Sequence, residues 1–308
     1  MPPFEPAPTG NPPFVQPDHT CLFPTLLRLD VKDIRTGPEN TILENGKTYL
    51  YRHNDCAVSL RRDINVVEKE IERMLELAPL GIAIPVMGIV FEGTMIDGYI
   101  MPLARAVPSD LDVSTKREYT SQMLSLVERL HRQGIIHGDL RLTNFLLCDN
   151  GRLRLCDFEE SQQAGVEPSP RCQTYGYRSP WRVGADLADV EVPLSFDDDY
   201  YALGLAIWEL WKGERVFRDR DTLEEAEIEF VIHGVVVDVD EVEDLVAIDT
   251  IWKLLEHGGR GTVNRDKGFR YKVTGSVFES INNKILNILR SSRRDGKDGT
   301  WLAQYSHS

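Results

Sequence analysis

An Asn-Gly dipeptide at 150–151 separates two short apolar runs in the stretch NFLLCDNGRLRLCDF. Asn-Gly is a strong signal for a two-residue hairpin turn, because both residues tolerate the positive φ angles that such a turn requires. If these two residues form the loop, Asp149 pairs with Arg152. Counting outward along both strands, Asn144 then pairs with Asp157. Opposed residues on one hairpin face lie roughly 4.5–5.5 Å apart at Cβ, so an amide oxygen and a carboxylate are predicted to face each other.

This predicted pair of oxygen ligands suits a hard cation such as Mg²⁺. Asp139 stands five residues before Asn144 in the same turn, IIHGDLRLTNFLL, and can lie beside the pair as a proton acceptor. Taken singly, each residue has a simpler explanation, because turn Asp and Asn residues often hydrogen-bond their own backbone. His137 alone would be more typical of a packed loop histidine. The joint spacing of all these residues favours a functional site.

Composition limits the kind of protein this chain can be. Its 308 residues are 42% hydrophobic, which suffices for one large domain or a two-lobed one. The net charge of −14 argues against a nucleic-acid or anionic-membrane partner. No apolar run is long enough to span a bilayer, the first residues lack a signal-peptide pattern, and the five cysteines form no CxxC. These features predict reduced thiols and a cytoplasmic location, and they leave a nuclear location open.

The pattern along the chain predicts four parts. Residues 1–26 are rich in proline and predict an extended tail. Residues 27–105 predict a lobe of strands with one helix, residues 106–257 a mainly helical lobe, and residues 258–308 a polar C-terminal tail. In the first lobe the predicted elements are a strand at TYLYR (48–52), a helix at 64–77 with an apolar stripe of Val67, Ile71, Met74 and Leu75, and strands at IPVMGIVFEG and DGYIMPLA.

Two long helices are predicted in the second lobe. TKREYTSQMLSLVERLHRQG opens with Thr115 and Glu118, spaced as a capping box, and Gly134 follows its last turn. YYALGLAIWELW (200–211) is apolar on nearly every side, which predicts a helix in the core of this lobe.

The motifs HGDLRLTN and DFE resemble the catalytic loop and the metal-binding motif of the protein kinase superfamily. The resemblance continues in TYGYRSPW (174–181), which fits the end of the family's activation segment, and in DYYALG (199–204), which fits the start of its central helix. It covers roughly residues 28–257. It implies an α+β, two-lobed fold with a small β-sheet lobe carrying one helix and a larger, mainly helical lobe.

The resemblance also implies ATP and Mg²⁺ as cofactors and a protein as substrate. Asp139 would accept the proton of the substrate hydroxyl, with Arg141 where serine/threonine kinases carry a lysine, and Asn144 and Asp157 would hold Mg²⁺. The other implied site residues are Gly37, Arg52, Glu70, Met101 and Leu103 for ATP binding, and His137, Thr174 and Asp199 as structural support.

The N-terminal lobe departs from the family pattern. The stretch RTGPENTIL has one glycine, Gly37, where the family has a glycine-rich loop, so few backbone N–H groups can approach phosphates closely. Arg52 occupies the place of the family's strand lysine, with Glu70 eighteen residues later as its expected partner. An arginine presents a planar fork rather than a compact charge, so the exchange is not neutral. Lys47 on the same strand is a second candidate for the phosphate contact.

Three departures fall in the second half. Gly138 replaces the arginine that docks a phosphorylated activation segment in the family, which predicts that such control is absent. Glu159 replaces the glycine of the metal motif and brings an extra carboxylate. Trp181 replaces the glutamate that forms an ion pair with a late arginine, so we expect no such pair from this position.

Three functions remain open on these residues. The first is an active protein serine/threonine kinase. The second is a catalytically impaired pseudokinase that acts as a binding or scaffold module, which Arg52 and the poor glycine loop favour. The third is a small-molecule phosphotransferase of the aminoglycoside-kinase type, which also uses HGD followed by Asn. The TYGYRSP and DYYALG segments argue against the third, because they match the peptide-substrate platform of protein kinases.

Overall fold

The fold is described from a computed structural model of the chain. The residues that the structure describes are 27–30, 41–44, 47–53, 64–92, 95–102, 104–166, 174, 176–187, 190–216, 237–259, 262–264 and 268–270.

The chain forms two compact units, and each unit is built from two separate stretches of the chain. The first unit draws on Met1–Ala106 and Leu146–Glu159, and the second on Val107–Phe145 and Glu160–Ser308. The helices of the described residues are α1 (Ile64–Leu77), α2 (Val113–Arg132), α3 (Pro180–Leu187), α4 (Phe196–Lys212) and α5 (Leu245–Gly258). The strands are β1 (Leu27–Asp30), β2 (Thr41–Glu44), β3 (Lys47–His53), β4 (Gly88–Glu92), β5 (Met95–Pro102), β6 (Arg105–Ala106), β7 (Ile135–Ile136), β8 (Phe145–Leu147), β9 (Leu153–Leu155), β10 (Gln162–Gln163), β11 (Thr262–Asn264) and β12 (Gly268–Arg270).

A five-stranded sheet in the order β1-β4-β5-β3-β2 forms the core of the first unit. β1 pairs with β4 in parallel, and the other neighbours are antiparallel. The strands predicted at TYLYR, IPVMGIVFEG and DGYIMPLA are confirmed as β3, β4 and β5. The sheet thus carries Arg52 on its β3 strand, with the Cα of Arg52 opposite that of Tyr99 on β5.

The helix predicted at 64–77 is confirmed with the same bounds. Val67, Ile71 and Met74 are buried as expected, because residues three and four apart share one helix face. The fourth buried apolar residue is Leu77 rather than Leu75, which is only half-buried. The apolar face of α1 therefore runs to the last residue of the helix.

The hairpin between β8 and β9 exists, but its predicted two-residue loop is wrong. The N–H of Cys148 donates to the carbonyl of Arg152 at 2.9 Å, and the N–H of Gly151 donates to the carbonyl of Cys148 at 3.0 Å. Gly151 has a φ of 74°. These features define a three-residue loop, a turn closed by a residue in the left-handed region. The strand register is therefore shifted by one residue from the predicted one, and Asn144 is not opposite Asp157 in it. The prediction that these two residues act together now rests on the family resemblance alone.

The second unit is mainly helical, and its long helix α2 begins earlier than predicted. Asp112 is the N-cap, and its side chain accepts hydrogen bonds from both the N–H and the hydroxyl of Thr115. The capping box predicted from Thr115 and Glu118 is therefore wrong. Aspartate is as good an N-cap as serine or threonine, and Asp112 lies where the chain enters the helix. Gly134 follows the helix end with a φ of 75°, as expected for a residue just past the C-cap.

Helix α4 is the buried centre of this unit, as predicted for residues 200–211. Ser195 and Asp198 form a capping box at its start, and Gly213 ends it with a φ of 67°. α4 packs closely against α5. A Cβ atom added to Gly258 would lie 2.3 Å from the backbone nitrogen of Tyr201, so only glycine fits this crossing without movement of α4.

Within the segment expected as a C-terminal tail, β11 and β12 pair as an antiparallel two-stranded sheet. Among the helices that the structure describes, none combines the length and the apolar character needed to cross a membrane.

Gly204 and Gly258 both lie where α4 and α5 meet, and a methyl group would meet side chains at the first and backbone at the second. Alanine substitution of each should therefore show which kind of contact costs more stability. Gly258→Ala should lower the free energy of unfolding by roughly 1–3 kcal/mol or more, because the new methyl group meets the α4 backbone. Gly204→Ala is the matched control, since its Cβ would meet the movable Leu255 side chain at 3.0 Å. Urea denaturation of both variants measures the difference. A larger loss for Gly204→Ala would contradict the close approach at Gly258.

Candidate active site

Asp139 lies in a short loop of the second unit, between β7 and a single 3₁₀ turn at Leu142–Asn144. One carboxylate oxygen accepts the N–H of Thr174 at 2.9 Å. The other lies 3.5 Å from Nε of Arg141. The side chain keeps 12% of its surface exposed. Asp139 is thus oriented by a donor and a cation while it stays accessible, which suits a group that accepts a proton from a substrate.

Asp199, in the first turn of α4, accepts hydrogen bonds from the backbone of the loop that carries Asp139. Asp199 is fully buried, and its carboxylate accepts the backbone N–H groups of His137 at 2.8 Å and Gly138 at 3.0 Å. Nε2 of His131 lies 2.8 Å from the same carboxylate. Charged acceptors make the stronger hydrogen bonds, so Asp199 fixes the loop backbone directly before Asp139.

His137 itself is a buried support of this loop. Its side chain has no exposed surface, and its Nδ1 faces the N–H of Asp139 at 3.3 Å. The next residue, Gly138, has a φ of 81°. A Cβ at this position would lie 2.6 Å from the carbonyl oxygen of Glu160. The structure therefore excludes any side chain at residue 138, including the arginine that the family carries there.

Asn144 ends the 3₁₀ turn and is buried. Its Nδ2 donates to the carbonyl of Asp139 at 2.8 Å, which fixes which end of the amide is nitrogen and which is oxygen. Amide and carboxylate oxygens are ligands that Mg²⁺ accepts, usually together with waters and substrate phosphates. The described residues contain no cluster of three His, Cys, Asp or Glu side chains placed to hold a metal. An amide oxygen such as that of Asn144 suits Mg²⁺ only together with carboxylate, phosphate or water oxygens, and its pairing with Asp157 stays a prediction.

Asp157 belongs to the first unit, just past β9. It is the one non-glycine residue of the described chain with a positive φ, 65°. Such a conformation costs of order 1–3 kcal/mol and concentrates at functional sites. Phe158 after it is buried, and Glu159 in the place of the family's glycine is half-buried.

Glu70 on α1 is buried and points into the first unit. The hydroxyl of Tyr99 on β5 donates to its Oε1 at 2.9 Å. Tyr99 is the cross-strand neighbour of Arg52 in the backbone register. Tyr99 thus lies opposite the Arg52 backbone on one side and binds the Glu70 carboxylate through its hydroxyl. Met101 on the same strand is buried, and Gly37 and Leu103 lie outside the described residues.

Comparison with known proteins places this arrangement in a family. A sequence model described as Protein kinase domain matches residues 89–257, more than half of the chain. The chain belongs to the protein kinase family. The small sheet lobe and the helical lobe predicted from the sequence are the two lobes of that fold.

Individual relatives match over shorter stretches. A probable cell division protein kinase of Encephalitozoon cuniculi is 28% identical over 171 residues, which is 52% of this chain and 52% of the relative. A serine/threonine-protein kinase of Toxoplasma gondii is 30% identical over 120 residues, 37% of this chain and 20% of the relative. Rhodopsin kinase of Sus scrofa is 32% identical over 111 residues, 35% of this chain and 19% of the relative. The kinase chain thus covers about half or less of the length of these relatives.

Beyond Thr174, the described end of the activation segment of this kinase domain is tied to α4. Tyr177 forms a hydrogen bond with the carboxylate of Glu209, which also accepts the N–H of Val216 at 2.8 Å. Glu209 is buried. Sequence patterns missed this contact, because Glu209 stands within an apolar helix with nothing nearby in the chain to indicate its partners.

An ion pair at the end of the activation segment was also missed. Trp181 carries no charge to form one itself, and the next residue, Arg182, binds Asp198 of α4 through Nε at 2.8 Å and through Nη2 at 2.7 Å. The two residues are sixteen positions apart. The available sequence signal was the run of three aspartates at 197–199, of which Asp199 alone was predicted to have a structural role.

Burial gives Glu209 a testable pH dependence. Loss of hydration raises the pKa of Glu209 above its ordinary value of 4.5, with the hydrogen bonds from Tyr177 and Val216 acting in the opposite direction. A carboxyl with a raised pKa in the folded state stabilises the fold most below its unfolded pKa and loses that contribution as the pH rises through its folded pKa.

Relative to Glu209→Gln, the unfolding free energy of the wild-type kinase domain should therefore fall as the pH rises from about 4.5 to about 7. Urea denaturation across that range measures the difference between the two proteins. The exposed Glu243→Gln is the control and should show no such trend. A difference that stays constant, or grows in favour of the wild type with pH, would rule out the raised pKa.

Proposed function

We propose that this chain transfers a phosphoryl group from ATP, with Mg²⁺, to a serine or threonine hydroxyl of a protein. The observation that carries the proposal is the oriented carboxylate of Asp139, held by the Thr174 N–H and Arg141 while Asp199 fixes the backbone before it. Positioning of this kind supplies much of the catalysis in phosphoryl transfer. One relative is named a serine/threonine-protein kinase, which supports the hydroxyl as acceptor.

In this proposal each residue has one task. Asp139 accepts the proton of the attacking hydroxyl, and Arg141 beside it balances charge as the proton moves. Asn144 and Asp157 contribute oxygen ligands to Mg²⁺. Bound MgATP supplies the transferable phosphoryl group and a metal that neutralises the charge on it. Met101 and Leu103 contribute to the nucleotide site, and Glu70 orients the cation that contacts the phosphates.

The second candidate function is a pseudokinase that binds other proteins. Arg52 at the position of the family's lysine favours it. A guanidinium fork beside the buried Glu70 could form a strong pair and still hold the phosphates in the wrong place. A displacement of about 1 Å can cost roughly a hundredfold in rate.

Replacement of the proposed proton acceptor tests the enzyme. Asp139→Asn should lower phosphoryl transfer to a protein substrate by at least roughly a hundredfold, because the amide cannot accept the proton. MgATP binding, followed by thermal shift, should stay near the wild-type value. Asp157→Ala should instead abolish the part of ATP binding that requires Mg²⁺.

Mass spectrometry of phosphorylated serine and threonine after incubation with ATP and Mg²⁺ provides the activity measurement. Transfer that persists in Asp139→Asn would come from a contaminant. A wild-type protein that binds no nucleotide and transfers nothing would reject the enzyme and leave the pseudokinase.

Two substitutions on β3 identify the phosphate contact. If Arg52 fills this role poorly, Arg52→Lys should raise turnover, since lysine is a compact charge and the buried Glu70 is its proposed partner. If Lys47 has taken over the role, Arg52→Lys should change little and Lys47→Ala should lower turnover by roughly a hundredfold or more. Turnover with saturating MgATP distinguishes the two. Activity that is unaffected by both substitutions would remove both residues from the phosphate site.

A further inference from the structure

Two adjacent carboxylates at the start of α4 hold different parts of the chain. Asp199 accepts the backbone N–H groups of the loop that carries Asp139, as described above. Asp198 instead binds Arg182, which follows the end of segment 174–181. Because both carboxylates lie in one turn of a rigid helix, the two contacts fix the loop and the segment relative to each other.

The Arg182–Asp198 contact is buried and closely matched in geometry. Arg182 has 9% of its side chain exposed and Asp198 has 1%. Nε and Nη2 of the guanidinium bind one carboxylate oxygen each, which is the bidentate arrangement that fixes the angle between the two groups as well as their distance. Replacing a buried pair with apolar groups is often neutral for stability. Its geometry therefore points to a positioning role rather than to a gain in stability.

The remaining bonds of the two residues extend the same connection. The guanidinium donates through Nη1 to the carbonyl of Val192 at 3.2 Å and through Nη2 to that of Pro193 at 3.0 Å. Asp198 also accepts the N–H and the hydroxyl of Ser195, which caps α4. All three nitrogen atoms of the guanidinium thus bind the chain that leads into α4 or its first turn.

The segment before Arg182 is held at its other end by the site. Thr174 donates to Asp139, Tyr177 contacts Glu209, and the hydroxyl of Ser179 accepts the N–H of Arg182 at 3.2 Å. A shift at Arg182 would therefore be transmitted along the segment towards Asp139. Met101 and Glu70, which are proposed for the nucleotide site, belong to the first unit, so such a shift should affect protein-substrate binding more than MgATP binding.

We propose that Arg182 is a positioning residue for the protein substrate: through Asp198 it keeps segment 174–181 in register with Asp139. The proposal rests on the proposed function, because it assigns the segment to substrate binding. It concerns the arrangement of the segment, so it can be measured in the 308-residue chain even without turnover.

The first test compares Arg182→Gln with the wild type by hydrogen exchange and kinetics. Amide exchange in peptides that cover 174–187 should speed up by at least about tenfold, while exchange in the core of α2 stays unchanged. The KM for a protein or peptide substrate should rise, and kcat should fall by roughly tenfold to a hundredfold. The KM for MgATP should change by a smaller factor than the KM for the protein substrate.

Arg117→Gln is the matched control. Arg117 also binds a helix-capping aspartate, Asp244, whose carboxylate accepts the N–H of Ala247 at the start of α5. It lies on α2 and touches neither the segment nor α4 in any described contact. Its substitution should leave segment exchange and the substrate KM at wild-type values. Ile251→Val, which removes a buried methyl group from α5, controls for a loss of overall stability.

Arg182→Lys provides the rescue test. A lysine keeps the charge and loses the fork, so segment exchange and substrate KM should lie between those of the wild type and Arg182→Gln. If Arg182→Gln does not fold, segment exchange and substrate KM are compared with the wild type in Arg182→Lys and Asp198→Asn instead. Unchanged segment exchange in the folded variants, or equal changes in Ile251→Val, would overturn the proposal. A wild type without phosphoryl transfer would reject the proposed function alone, since the exchange result would still decide the role of Arg182.

Discussion

The arrangement of the second unit around Asp139 depends on the hydrogen bonds that the buried carboxylate of Asp199 accepts. A fully buried charge is costly unless strong donors surround it, and here the donors are two backbone N–H groups of the loop that carries Asp139. The carboxylate therefore satisfies polar backbone that a tight loop leaves unpaired, and it does so from a helix that is itself buried. The position of Asp139 follows from this contact, because its backbone continues directly from the two bound amides.

Helix α4 acts as the common support of the site. Asp198, Asp199 and Glu209 all project from it, to Arg182, to the loop that carries Asp139 and to Tyr177. Three buried acidic side chains on one apolar helix would be hard to explain by packing alone, since charged groups are almost never buried without partners. Their partners lie on separate segments, so the helix determines how those segments are arranged around Asp139.

The departures from the family pattern have local physical consequences. Gly138 adopts a positive φ and lies against the carbonyl of Glu160, so the loop has room for no side chain there. Arg182 provides a buried ion pair beside the position where Trp181 removes one. The positive φ of Asp157 shows a strained backbone at the proposed metal ligand. Gly138 and Arg182 belong to the second unit, in which Asp199 and Thr174 hold the Asp139 loop, whereas Asp157 belongs to the first unit.

The sequence determined the features that depend on local spacing. The 3.6-residue period located α1, the apolar run located α4, and the HGD and DFE motifs indicated the family and supplied Asp139, Asn144 and Asp157 as candidate site residues. Tertiary structure decided the features that depend on residues far apart in the chain. The separations of sixteen positions between Arg182 and Asp198 and of thirty-two between Tyr177 and Glu209 leave no periodic signal, because the distance between such groups is set by how helices pack. The hairpin register failed for a different reason: an Asn-Gly pair can serve either a two-residue loop or the end of a three-residue one, and the hydrogen bonds of the folded strands select between them.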